Sequence, residues 1–190
     1  MKKKTIALIV CLTLIIGCAI GGTIAWLTDK TAAVTNTFTA GDVDIDLTET
    51  DVEGDDTLTA NSYKMVPGNT ITKDPKVTVV AGSEACWLFV KVEKSNNFDT
   101  FMTYTMADGW TALNGVSGVS GVYYREVAAT SVNTDFPVIK DNRVSVKGEV
   151  TKAQVDALNE GTQPTLKFTA YACQKDNITS AADAWAKVNE

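Results

Sequence analysis

The chain has 190 residues, 45% of them hydrophobic and 21% charged, enough for one sizeable domain with its own core. It holds 17 basic and 23 acidic residues, and three of the basic ones are Lys2, Lys3 and Lys4 at the start. Beyond Ala25 the balance is 14 to 23, a net of −9, which argues against nucleic acid or an anionic lipid surface as a partner. There is no histidine, which excludes His-based triads, His-Glu-x-x-His zinc sites and imidazole bases.

Residues 1–25, "MKKKTIALIVCLTLIIGCAIGGTIA", read as a secretory signal peptide. A basic start leads into an apolar run, and small residues stand before a cut after Ala25 or one residue on, after Trp26. Two alternatives stay open. Thr5 to Ala25 is uncharged and just long enough to anchor in a bilayer. Ile15-Ile16-Gly17-Cys18 fits the pattern at which bacterial lipoproteins are cut and lipidated on the cysteine. Export implies an oxidising setting. Cys86 and Cys173 are the two cysteines beyond the leader, both in strand-like runs. The expectation is that these strands are neighbours and that the two thiols form a disulfide; two free buried cysteines are the alternative.

The remainder reads as strands and tight turns. "DVDIDL" alternates, with Val43, Ile45 and Leu47 on one face and Asp42, Asp44 and Asp46 on the other. "DVEGDDTLTANS" is a polar loop, and Pro67-Gly68 marks a turn. "KVTVV" and "CWLFVKVE" are β-branched and aromatic, the second apolar enough to be covered on both faces. Signals weaken from Ser95 to Val122, where "MADGW" holds an Asp-Gly turn and "NGVSGVSGV" reads as a loop. "VYYREV" is a strand, and "FPVIKDNRVSVKGEV" a hairpin turning at Asp141-Asn142. "TKAQVDALNEG" opens on a Thr-x-x-Gln capping box and ends in Gly, giving a short helix. "TLKFTAYACQ" is the last strand. "NITSAADAWAKVNE" is a terminal helix capped by Thr179 or Ser180, with Ala182, Trp185 and Val188 along one side. The pattern predicts an all-β fold: a β-sandwich of jelly-roll or Ig-like form with a short internal helix and a C-terminal helix. No break in composition divides residues 41–190, which read as a single domain preceded by a linking segment over 26–40.

Several stretches in order resemble the TasA/camelysin (CalY) family of exported Gram-positive proteins with a SipW-type signal peptide. They are Gly21 to Ala25 with Trp26 and Asp29, the Thr37 to Gly41 step into an acidic-apolar strand, and Pro67-Gly68 before a strand and the Gly82-Ser83 turn. The ending "TAYACQKDNITSAADAWAKV" is also similar to that of small members with this leader. The match covers about the first 92 residues and the last 25 or so; Cys86 and Cys173 depart from the best-known matrix members. The resemblance implies a jelly-roll domain and cleavage by a SipW-type signal peptidase. It also implies secretion to the extracellular matrix or cell surface, and homo-oligomeric fibres of the biofilm matrix. An anchoring matrix protein is an expected partner. In such fibres the freed N-terminal segment of one subunit adds as a strand to the next. In "WLTDKTAAVTNTFTA", Leu27, Val34 and Phe38 are the candidate pocket-fillers. A flexible tail, or a first strand that pairs within its own domain, is the alternative.

No cofactor and no enzymatic activity are expected, although the name camelysin carries a claim of metallopeptidase activity. Asp42, Asp44 and Asp46 are weak candidates for a calcium site, but alternating Asp more often mark a solvated strand face. "DVEGDD" lacks EF-hand spacing. Beside the matrix reading stand a monomeric or lipid-anchored binding module, displaying loops such as Asn114 to Gly121, and a carboxylate- or metal-dependent hydrolase.

Overall fold

In the computed structural model, residues 42–51, 61–159 and 161–188 are described. In chain order they form β1 (Ile45–Thr48), β2 (Thr70–Thr72), β3 (Lys76–Val79), β4 (Cys86–Lys94), α1 (Phe98–Phe101), β5 (Met102–Met106), β6 (Thr111–Ala112) and β7 (Val122–Val127). Then follow β8 (Thr134–Pro137), β9 (Ile139–Val146), α2 (Lys152–Asp156), β10 (Leu166–Gln174) and α3 (Ala181–Val188). The strands make three sheets, ordered β1-β3-β8, β2-β9-β5 and β10-β4-β7-β6, with every pair antiparallel. The first two sheets run into one another. The chain passes from β2 to β3 across Pro75 and from β8 to β9 across Val138, and Val138 N–H donates to Pro75 C=O at 2.9 Å between them.

β4 organises the interior because its apolar run has no polar face to give to water. Cys86, Leu88, Val90 and Val92 point into a first core with Val77, Val79, Val127 and Val138. Trp87 and Phe89 point the other way, into a second core with Ala184 and Trp185 of α3. A third core gathers Phe98, Phe101, Met102, Ile139, Val144 and Val146. The layers are therefore sheet, sheet and helix. The all-β class and the doubly covered β4 are as the sequence predicts. The strand orders do not spell out a jelly roll of two four-stranded sheets.

The local signals hold where they are chemical. Gly68 takes φ +79° in the Pro-Gly turn, and Asn69 N–H closes it on Val66 C=O at 3.0 Å. α2 carries the capping box: Thr151 N–H donates to Gln154 Oε1 at 2.9 Å, and Gln154 N–H to Thr151 Oγ1 at 3.3 Å. α3 starts at Ser180, whose Oγ accepts from Asp183 N–H at 3.1 Å. Its buried stripe is Ala181, Ala184 and Trp185 rather than the expected stripe through Ala182.

Three expectations need correction. Asp141 and Asn142 do turn, with φ +54° and +55°, but the segments flanking them do not pair with each other. Ile139 pairs with Met106 and Val144 with Tyr104, so the turn swells out of β9 as a bulge while β5 holds both sides. Leu47 is 37% exposed, whereas Val43 and Ile45 pack against the first core as predicted. The disulfide is the third. Its strands are neighbours, as expected, yet both thiols are free. Cys173 lies opposite Trp87 and Gln174 opposite Cys86, a stagger of one residue. That stagger sends Cys86 into the first core and Cys173 toward the second. Side chains on opposite faces of a sheet aim their Cβ atoms apart and cannot be bridged.

Candidate functional site: an apolar cleft beside the β1 and β10 edges

β1 and β10 lie near each other on one side of the sandwich, and each pairs on one flank only among the described residues. At the end where β1 finishes and β10 begins, a cleft of about 1200 Å³ opens. Leu47, Met65, Ile71, Phe98, Leu158 and Phe168 give it apolar walls. The 9-residue β10 runs on from its rim. Lys175 N–H donates to Ala85 C=O, which fixes the phase of the β10–β4 ladder. With that phase the N–H groups of Ala170 and Ala172 point away from β4. β10 thus offers a row of outward backbone groups, the usual template for another strand.

One polar cluster sits in the apolar cleft. Lys73 Nζ donates to both carboxylate oxygens of Glu49 at 2.8 Å, with the side chains 12% and 14% exposed. The Tyr63 hydroxyl donates to Glu49 Oε1 at 2.6 Å. The ammonium also stands 5.4 Å from the Tyr63 ring centre and 5.8 Å from that of Phe168. Burial, then the hydrogen bond to Glu49, then the charges of Glu49 and Asp74, push the Tyr63 hydroxyl well above its ordinary value. Tyr63 therefore stays protonated and Glu49 is engaged from two sides. The cluster balances its own charge and presents no free base or nucleophile. The cleft is suited to receiving apolar side chains along an extended backbone.

Sequence reasoning missed Glu49, Tyr63 and Lys73, and no local signal marks them. Glu49 and Lys73 are 24 residues apart, Glu49 and Tyr63 14 apart. Asp42, Asp44 and Asp46 are exposed, Asp46 in β1 and the other two in the segment before it, and Asp42 Oδ1 accepts the N–H of its neighbour Val43 at 2.8 Å. Ala25, Trp26, Leu27, Val34 and Phe38 lie outside the described residues. In the Asn114 to Gly121 loop, Val116 and Val119 pack against the second core and the other residues are exposed.

Residues 1–84 match the family model described as camelysin metallo-endopeptidase. No curated protein and no solved structure matches the chain. Among the described residues no donor set fits the metal in that description. The chain has no histidine, and the described residues contain no group of three or more His, Cys, Asp or Glu able to hold an ion. Among the described residues no helix is long and apolar enough to cross a membrane. The matched residues 1–84 include the Thr37 to Gly41 step and the first three strands, and over them the chain is similar to the TasA/camelysin family.

Proposed function

We propose that the protein is a secreted structural component of the cell surface or biofilm matrix that assembles into fibres by strand donation. After a SipW-type peptidase cuts between Ala25 and Trp26, the segment over 26–40 of one subunit adds to the β10 edge of the next. Leu27, Val34 and Phe38 then supply apolar side chains to the cleft. The observation that carries this reading is that, among the described residues, β10 pairs on one side only, beside an apolar cleft. The test compares chains starting at Trp26 and at Gly41, by electron microscopy at high concentration. Fibres from the first and none from the second are expected. Ala172→Pro, which removes an outward N–H and no β4 bond, should suppress fibres in the longer chain. If both chains stay monomeric, or both polymerise equally, strand donation is wrong.

A second reading, peptidase activity, is favoured by the description of the matching family. Its test is cleavage of an unfolded protein by the purified chain, with loss on chelation.

A further inference from the structure

The far side of the sandwich is finished differently. There Arg125 of β7 lies over two aromatic rings. Its guanidinium carbon is 4.2 Å from the Phe136 ring centre and 5.3 Å from that of Trp110. Trp110 is itself held by its indole N–H, which donates to Pro137 C=O at 2.8 Å. On one side the guanidinium meets the backbone of Gly109, where a Cβ would stand 3.0 Å from Nη2.

Arg125 has no ion pair or hydrogen bond among the described residues, and its Nε is buried without a partner. The carboxylates beside Arg125 and its ring partners in sequence are already committed, the first of them Glu126 to Lys175. Asp135, beside Phe136, pairs with Lys76 at 2.8 Å, and Asp108, beside Gly109, pairs with Lys140 at 3.3 Å. Burial, with no opposing charge to offset it, pushes the guanidinium below its ordinary pKa. Ring contacts of this kind engage the face of a guanidinium and do not meet its in-plane N–H groups, of which Nε is buried without a partner. A half-buried cation without a counter-charge is a costly arrangement, and one that an arriving anion relieves.

We propose that Arg125, clamped by Trp110 and Phe136, is a carboxylate-binding site. The planar two-oxygen edge of a carboxylate matches the in-plane Nη edge of a guanidinium whose face is engaged. The chain's net charge of −6 disfavours a doubly charged phosphate in the same place. The carboxylate has two sources, a small free acid or an Asp or Glu side chain of a second copy.

The test uses the secreted-length chain, from Trp26, and follows the side-chain N–H resonances of Arg125 and Trp110. Sodium acetate is titrated into dilute protein, with sodium chloride as the ionic-strength control. Separately, protein concentration is raised without acetate. A saturable shift of both resonances with acetate assigns the site to small acids. A shift that grows with protein concentration and is reversed by acetate assigns it to a second copy. Arg125→Lys, which keeps the charge and loses the paired donors, should weaken either effect at least about tenfold. If acetate acts no differently from chloride, and concentration has no effect, the proposal fails. The wild-type spectra decide this even where a variant folds poorly.

Discussion

Trp185 joins α3 to the sheet, and its removal tests the third layer of the fold. The indole is 4% exposed, with its ring 5.3 Å from Phe89 and 5.1 Å from Tyr171, centre to centre. Truncating a buried Trp to Ala costs about 3–5 kcal/mol through lost transfer energy and the cavity left behind. The indole N–H, however, is buried without a partner. An unmet buried donor costs about 1–3 kcal/mol, which a Phe at this position recovers while it keeps most of the ring contacts. Trp185→Phe should therefore stay within about 1 kcal/mol of the parent, and Trp185→Ala should lose at least about 3 kcal/mol. In a domain of this size that is a fall in Tm of roughly 6–20 °C for Ala, against less than about 4 °C for Phe. Urea unfolding followed by far-UV circular dichroism measures both. Equal losses for Phe and Ala would show that the indole N–H is doing unseen bonding. No loss for Ala would remove α3 from the stabilising architecture.

Gly121 has φ +69°, and a Cβ there would stand 2.5 Å from Val92 C=O, next to the 2.7 Å bond from Val92 N–H to Gly121 C=O. Gly121→Ala should cost about 2–4 kcal/mol, against about 1 kcal/mol for Gly118→Ala, whose φ is similar but whose Cβ meets nothing; chemical denaturation reads the difference. Lys73→Met leaves Glu49 facing an apolar cleft and should cost about 2–4 kcal/mol by urea melt, with much of the loss restored by adding Glu49→Gln. Burial, and to a lesser degree the neighbouring Cys173, push the Cys86 thiol from 9.0 up to about 11. Its folded pKa is raised, so its stabilising contribution is complete below pH 9 and is lost as pH rises toward 11. A pH series of melting temperatures should show that alkaline loss, and Cys86→Ala should flatten it. Thiol titration of denatured, unreduced protein should find Cys86 and Cys173 both free.

What could be read in advance depended on whether a feature is local. The Thr151 to Gln154 box, the Pro67-Gly68 turn and the apolar face-to-face character of β4 are properties of neighbouring residues, and each appears as its residues dictate. Register is not local. Placing β4 and β10 side by side was enough to suggest a bridge between their cysteines, and a stagger of one residue was enough to prevent it. β5 carries alternating Thr and large residues with no bounding turn on its N-terminal side, and the helical turn of Phe98–Phe101 runs straight into it, so neither stood out. The cleft was invisible for a related reason. Glu49, Tyr63 and Lys73 come from three separate segments, and only the pairing of β1 with β3 and the return of the chain through 61–67 bring them together.

The two sides of the sandwich bear on how copies of the chain would meet. On the far side β8 has four residues and ends in Pro137, β6 has two, and the Arg125 clamp fills the gap between Trp110 and Phe136. Short strands and edge proline are the means by which sheets discourage further pairing. On the near side β10 presents nine residues without proline, beside an apolar cleft in which Glu49 and Lys73 pair with each other. A chain with one blunted side and one receptive edge cannot easily form a symmetric edge-to-edge pair through both sides. The donor strand proposed above comes from elsewhere on the neighbouring copy, which makes the contact heterologous. Repeated along a line, such a heterologous contact does not close, and an open filament is its natural product. The asymmetry predicts where assembly should be blocked: substitutions along β10 should abolish fibres, while Arg125→Lys on the blunted side should leave fibre formation intact unless a second copy supplies the carboxylate proposed there.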